Sequence, residues 1–465
     1  MRRCHVGFWL VLVVLSVCPL RVWGQGEVLI DPRSFGLDLP LGPVRYPDGQ
    51  TTVMTRDDEG QPVVALLHVQ VGSGAIVQMP DGQLVARREG EWTPTDRRFE
   101  PITKEALARR LGREFSSFKV KQTAHYVYVY DSSEEFQFGT AQILESMLPG
   151  VQSWLRTRKL PVETPAVPMV VVMFKDEATF RAHRRLPAEV VAYYDPVTHR
   201  IYLYEQSRLA QVRPDLALRQ AIATIAHEGA HQILHHVGIQ QRLSAWPAWL
   251  SEGLAEYFAP TSVNQRLRWK GPGQPNDLRL FELEQYLKDK SATGTQGQLV
   301  EHTVLAGQLT STGYAAAWAL VHFLAKQKPA ELTALLDDAR QIRPLKGAIA
   351  VSPVGTVREN RETFARLVSD DFVGLESRLV AHLKRLPYND PFADAPHFVA
   401  TLVSMESGRP KKQAGTFHSL AMAAKWLQEM QEKLPQKQRG ESQGAIAAFP
   451  NRAAAEAFAA KWLGR

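Results

Sequence analysis

The spacing of apolar positions changes several times along the chain, and each change marks a different element. Short apolar runs at 63–71, 75–79 and 84–87, with Pro80-Asp81-Gly82 as a hairpin turn, predict that residues 25 to about 115 are β-rich. Strict alternation at 125–130 predicts a strand; a helix at 140–156, a strand at 169–174 and a helix at about 177–184 follow. Residues 193–204 have the pattern of a hairpin turning at Asp195-Pro196. Pro214 and Asp215 then open a helix in which Leu218, Ile222 and Ile225 form a stripe at i, i+4 and i+7, and Gly238 closes it. A second helical stretch starts at Pro247, a residue suited to a first turn, and stops at Pro260. Trp246 and Trp249 are expected to pack that stretch onto the first helix.

Beyond it, Gly, Pro, Asn and Gln become frequent between Thr261 and Thr312, most of all at 270–276, and this predicts a loop on the far side of the site, either part of a substrate wall or a plain connection. Helical spacing dominates again to about Leu386. Pro387-Tyr-Asn-Asp-Pro391 reads as a linker, and Ala-Ala-Lys-Trp-Leu occurs at 423–427 and again at 459–463. Each copy ends a helix that follows an apolar strand, at 397–405 and 444–449, so the tail is read as a duplicated βα unit. The expected fold class is α+β, with a signal segment at 1–24, a β-rich or propeptide-like region at 25–118, a main domain at 119–388 and a βα module at 395–465. That module faintly resembles small envelope modules that bind peptidoglycan; a plain accessory domain is the alternative.

The segment His-Glu-Gly-Ala-His at 227–231 brings in chemistry. Histidines four residues apart on a helix project from one face, so His227 and His231 can reach one metal ion. Glu228 is turned about 100° from His227 around the axis, which suits a general base rather than a ligand. A catalytic zinc keeps three protein ligands and an open position, so one ligand is missing. A third histidine in the pattern HExxHxxGxxH fails, because Val237 and Leu234 stand where that His and Gly would be. Glu252, in the second helix, is the favoured completion; His235 or His236 would strain a straight helix. Glu256, one turn after Glu252, is placed either to fix the tautomer of a ligand imidazole or to be an ordinary surface carboxylate.

HEGAH followed by WLSEGLAEYF at 249–258 resembles the gluzincin metallopeptidases. Residues from about 120 to 390 are similar, more closely, to an uncharacterised family of secreted bacterial proteins with a gluzincin-like domain of unknown function. The segments AYYDPVTHRIYLYE at 192–205, IAHEGAHQIL at 225–234, WPAWLSEGLAEYFAPT at 246–261 and GYAAAWALVHFL at 313–324 carry this likeness. The resemblance implies a zincin-like domain, one zinc ion per chain on His227, His231 and Glu252, Glu228 as base, and Tyr314 as an electrophile; simple core is the alternative for Tyr314. The Gly-x-Met-Glu-Asn segment of gluzincin aminopeptidases does not occur upstream of the histidines, which points away from that branch.

Composition narrows the remaining choices. Of 465 residues, 45% are hydrophobic, enough for a large buried core. Arg2 and Arg3, an apolar run from Val6 to Val17 and a small residue at Gly24 read as a secretory signal cleaved before Gln25. The run is short for a membrane anchor, and Val17 before Cys18 suits a lipoprotein poorly. Both cysteines, Cys4 and Cys18, lie inside that segment, so a cysteine nucleophile and disulfides are excluded from the remainder. The formal charge of +7 falls to +4 without the three signal arginines, too mild to predict nucleic acid but compatible with loose association with an anionic cell envelope. A secreted or periplasmic zinc peptidase acting on peptide or protein, with no transmembrane span in the mature chain, is the leading expectation. A catalytically inactive peptide- or cell-wall-binding protein on the same scaffold, or an amidase of wall peptides, are the alternatives.

Overall fold

The structure is a computed structural model that describes residues 29–464, apart from 165–166, 189, 208–213, 264–266, 294–297, 347–354 and 407–408. The signal segment lies outside the described residues. The fold class is α+β, as the alternating periods require, and the chain divides after Leu386 into two compact units. Among the described residues no helix is long and apolar enough to cross a membrane.

The first unit opens with an antiparallel sheet of β1 (Val44–Arg45), β2 (Thr52–Arg56), β3 (Pro62–Val71), β4 (Gly74–Gln78), β5 (Leu84–Arg87) and β6 (Thr93–Pro94). It shares a core with the rest of the unit, since Leu37, Val69, Ile76 and Leu84 pack against Leu243, Leu345 and Val197. Backbone bonds from Ile30 N to Leu345 O and from Leu84 N to Val197 O tie it down. Arg242 adds a clamp: its buried guanidinium donates to the carbonyls of Pro196, Val197 and Gly82 at 2.5–2.7 Å.

After α1 (Lys104–Glu114), a second sheet is built from β7 (Lys119–Gln122), β8 (Tyr126–Tyr130), β9 (Met169–Asp176), β10 (Ala192–Asp195) and β11 (Arg200–Gln206), in the order β10-β11-β9-β8-β7. The central pairings β8–β9 and β9–β11 are parallel, and both outer pairings are antiparallel. Parallel strands need crossovers, which here are α2 (Glu134–Thr157) and α3 (Glu177–His183). α2 starts a turn and a half before the apolar spacing indicates, because the Ser133 hydroxyl caps it by accepting from Phe136 N at 3.1 Å.

The hairpin β10–β11 leads into α4 (Pro214–His236), and α5 (Ala248–Phe258) follows. The expected stripe on α4 is displaced: Leu218 is 40% exposed, while Ala217, Ile222, Ile225 and Ile233 are buried, so the buried face runs through Ala217 instead. α4 packs on α2 with almost no gap at Gly229, where a Cβ would meet Leu144 Cδ2 at 2.4 Å.

The stretch at 261–312 departs furthest from expectation. It holds a hairpin of β12 (Thr261–Val263) and β13 (Leu267–Trp269), then α6 (Asp277–Thr293) and α7 (Leu299–Leu305). Leu280, Phe281 and Leu283 bury one side of α6, a signal masked by the charged residues interleaved with them and by the Gly and Pro before them. The all-helical remainder is α8 (Ser311–Gln327), α9 (Pro329–Ala339), α10 (Gly355–Leu367) and α11 (Phe372–Leu383).

The second unit is a three-stranded antiparallel sheet, with β14 (His397–Glu406) between β15 (Arg409–Phe417) and β16 (Gln443–Phe449). Its helices are α12 (Leu420–Glu432), the short α13 (Gln436–Arg439) and α14 (Arg452–Leu463). The tail is therefore not two equal βα copies: β15, polar through Arg409, Lys411, Lys412 and Gln413, is an extra strand that hydrophobic spacing does not reveal.

Candidate metal centre

α4 and α5 cross so that three side chains meet at one point. Along α4 the four-residue spacing stacks His227 and His231, and their Nε2 atoms are 3.2 Å apart. From α5, Glu252 Oε2 lies 3.1 Å from His227 Nε2 and 3.4 Å from His231 Nε2. The three side chains are 2–8% exposed. Their ligand atoms fall within 4.8 Å of one another, and this buried group can hold a metal ion. His235 and His236 take no part in it: His235 Nδ1 faces Gln240 O, and His236 Nδ1 meets His199 Nε2 at 2.9 Å.

Gly253 explains why α5 comes close enough. A Cβ there would lie 2.6 Å from the Ala317 carbonyl oxygen of α8, so glycine lets the two helix backbones touch next to Glu252. Trp249 and Trp246 are both buried, and the Trp249 ring meets Phe364 edge-on.

Glu228 is 3% exposed and lies next to His227 on the same helix. One oxygen accepts the backbone N–H of Tyr194, on the outer strand β10, at 2.7 Å; the other, Oε1, has no hydrogen-bond partner among the described residues. Burial raises its pKa above the usual carboxylate range, and the neighbouring histidines oppose that rise. A buried carboxylate with one committed and one open oxygen is poised to exchange a proton with whatever sits beside it.

Glu256 is buried, not a surface carboxylate. Its Oε1 lies 3.1 Å from His227 Nδ1, close enough for an ion pair but outside hydrogen-bond geometry, and accepts from Arg279 Nη2 at 2.6 Å. Its Oε2 accepts from Asn276 Nδ2 at 3.0 Å. Burial works against its charge, yet Arg279 and His227 hold its pKa far below the usual range. Burial likewise opposes a charge on His227, but Glu252 and Glu256 outweigh it and lift the imidazole to about 10 without an ion. Glu252, against the same penalty, is held down to about 2 by the two histidines.

Tyr314, in the first turn of α8, is 3% exposed, with its ring centroid 6.3 Å from that of His227. Burial, reinforced by Glu252, keeps its hydroxyl protonated well above the ordinary range. Arg279, Asn276 and Tyr194 belong to this site and escaped sequence reasoning. The first two sit at the start of α6 in a stretch that reads as loop, and Tyr194 contributes only its backbone.

Residues 221–346 match a family described as a protein of unknown function (DUF1570). The matched stretch contains His227, Glu228, His231, Glu252, Glu256, Arg279 and Tyr314, and excludes Tyr194. No curated protein matches the chain.

Proposed function

We propose that the chain is a secreted zinc-dependent metallopeptidase of the gluzincin type, with His227, His231 and Glu252 as ligands and Glu228 as general base. The observation that carries the reading is the spacing of the three donor atoms. With bonds of about 2.0–2.1 Å to zinc, two corners of a tetrahedron are about 3.3–3.4 Å apart, and the separations here are 3.1, 3.2 and 3.4 Å. Two imidazoles and one carboxylate are also the donor set of catalytic zinc sites that keep a position open. The unpartnered Oε1 of Glu228 beside that set supports a base waiting for a proton.

A zinc ion held there would acidify a water and polarise the carbonyl under attack. The chain's own groups do the rest. Glu228, its charge disfavoured by burial, accepts a proton from the attacking water and delivers it to the leaving amine. Tyr314, kept neutral, offers a hydroxyl donor to the oxygen on which charge develops. Glu256 fixes His227 with a proton on Nδ1 and Nε2 free to ligate. β10, an outer strand joined to Glu228 through Tyr194, suits pairing with an extended peptide.

The test has two arms on the purified full chain. Metal analysis should find one equivalent of zinc in the parent and in Glu228→Gln, and little in His231→Ala. A peptide-library digest should then show cleavage by the parent and a loss of about 10²–10⁴-fold in Glu228→Gln. Equal, negligible cleavage by parent and variant, with zinc present in both, would favour a peptide-binding protein on the same scaffold.

A further inference from the structure

Arg279 joins more of this site than any other residue outside the ligand set. It is 4% exposed, on the first turn of α6. One nitrogen donates to Glu256 Oε1 at 2.6 Å and another to Glu282 Oε2 at 2.8 Å. Glu282 Oε1 in turn accepts from Ser311 Oγ at 2.8 Å, and Ser311 is the first residue of α8. The guanidinium carbon also lies 5.4 Å from the ring centroid of Tyr314. A single cation thus meets the carboxylate behind His227 and the aromatic ring beside His227, and is linked through Glu282 to the start of the helix that carries that ring.

Three carboxylates, Glu228, Glu252 and Glu256, are buried within this small volume. A divalent ion at the ligand set balances two of them. The third is held by a fixed cation, since a buried charge without a partner is strongly disfavoured. Arg279 is in direct contact with that third carboxylate, and its planar fork can hold two acids at once, which a lysine cannot reproduce.

We propose that Arg279 is a positioning residue of the metal centre: it holds the Glu256 carboxylate aimed at His227 Nδ1, so that His227 offers its Nε2 to the ion. This rests on the metal-binding reading above. Without Arg279, Glu256 would lose the bond that aims it, and His227 would lose the partner that fixes its tautomer. Loss of such an outer partner typically weakens metal binding about 10–100-fold.

The experiment measures the zinc dissociation constant of the full chain by competition with a chromophoric chelator, with urea midpoints of the metal-free chains as a check on folding. Arg279→Met should weaken zinc about 10–100-fold, and Arg279→Lys should recover part of that loss. Glu256→Gln should weaken zinc to a similar degree, and adding Arg279→Met to Glu256→Gln should cost little more, because the arginine then has no carboxylate behind His227 to aim. A purely structural arginine would lower the urea midpoint and weaken zinc equally in both backgrounds, which would overturn the proposal. So would tight zinc binding by Arg279→Met while His231→Ala binds none. If Arg279→Met does not fold, the lysine variant and the double variant decide between the same outcomes. If the parent itself binds no more zinc than His231→Ala, the metal reading fails, and this inference falls with it.

Discussion

Gly253→Ala is the sharpest probe of how the site is built. In a helix interior alanine is favoured over glycine by about 0.8–1.0 kcal/mol, so by propensity alone the change stabilises. At Gly253, however, the new Cβ would lie 2.6 Å from the Ala317 carbonyl oxygen and 2.9 Å from its carbon, where ordinary contact begins at 3.4 Å. The nearest obstacle is the backbone of α8, which has no rotamer to change, so α5 must back away by nearly an ångström. Overpacking of this kind costs about 1–3 kcal/mol, occasionally more, and at a backbone contact the upper end applies, leaving a net loss of about 2 kcal/mol. Glu252 rides on the same turn, and ligand distances tolerate only about 0.2 Å, so zinc affinity should fall as well. Gly229→Ala is the control. Its Cβ would meet Leu144 Cδ2 at 2.4 Å and Met147 Sδ at 3.6 Å, the ends of side chains that can rotate. It should stay within about 1 kcal/mol of the parent, with the helix propensity gain offsetting the repacking. Urea unfolding of the metal-free chains and chelator competition measure both quantities. If Gly253→Ala proves as stable as Gly229→Ala and binds metal equally well, the account of a backbone contact setting the position of Glu252 is wrong.

Other consequences can be measured directly. Burial depresses His235 and His236 to about 3 and His322 to about 4, against an ordinary value of about 6.5. Between those values the unfolded chain binds more protons than the folded one, so their contribution to stability is complete above about pH 6.5 and is lost as pH falls toward 3–4. Urea midpoints should therefore drop steeply over that window, and calorimetry should register uptake of at least three protons on unfolding near pH 5, since burial also depresses His68, His199 and His418; a flat profile would contradict it. Arg242→Met removes three donors from buried carbonyls and should cost about 3 kcal/mol or more. It should also make the β1–β6 sheet the first site cut in limited proteolysis; cleavage unchanged from the parent would show that the clamp is dispensable.

Much of the centre was legible because it depends on distances along one helix. Four residues make about one turn, so His227 and His231 had to share a face once α4 existed, and Glu228 had to stand beside them. Glu256 was legible as a position, one turn from Glu252, but its role was not: whether a carboxylate is a solvated surface group or a buried partner depends on what covers it, and here Asn276 and Arg279 of a later segment do. The strands at 63–71, 126–130 and 169–174 emerged from period and length, whereas β15 and α6 did not, since their polar residues conceal the faces they bury.

Local spacing sets which side chains leave one helix on one side, and for that the order of residues is enough. The meeting of Glu252 with the histidines, the contact of Gly253 with Ala317, and the use of Arg279 to neutralise Glu256 join residues distant in the chain. Their distances depend on how four helices pack, a balance of volumes and buried charges that no short-range periodicity encodes.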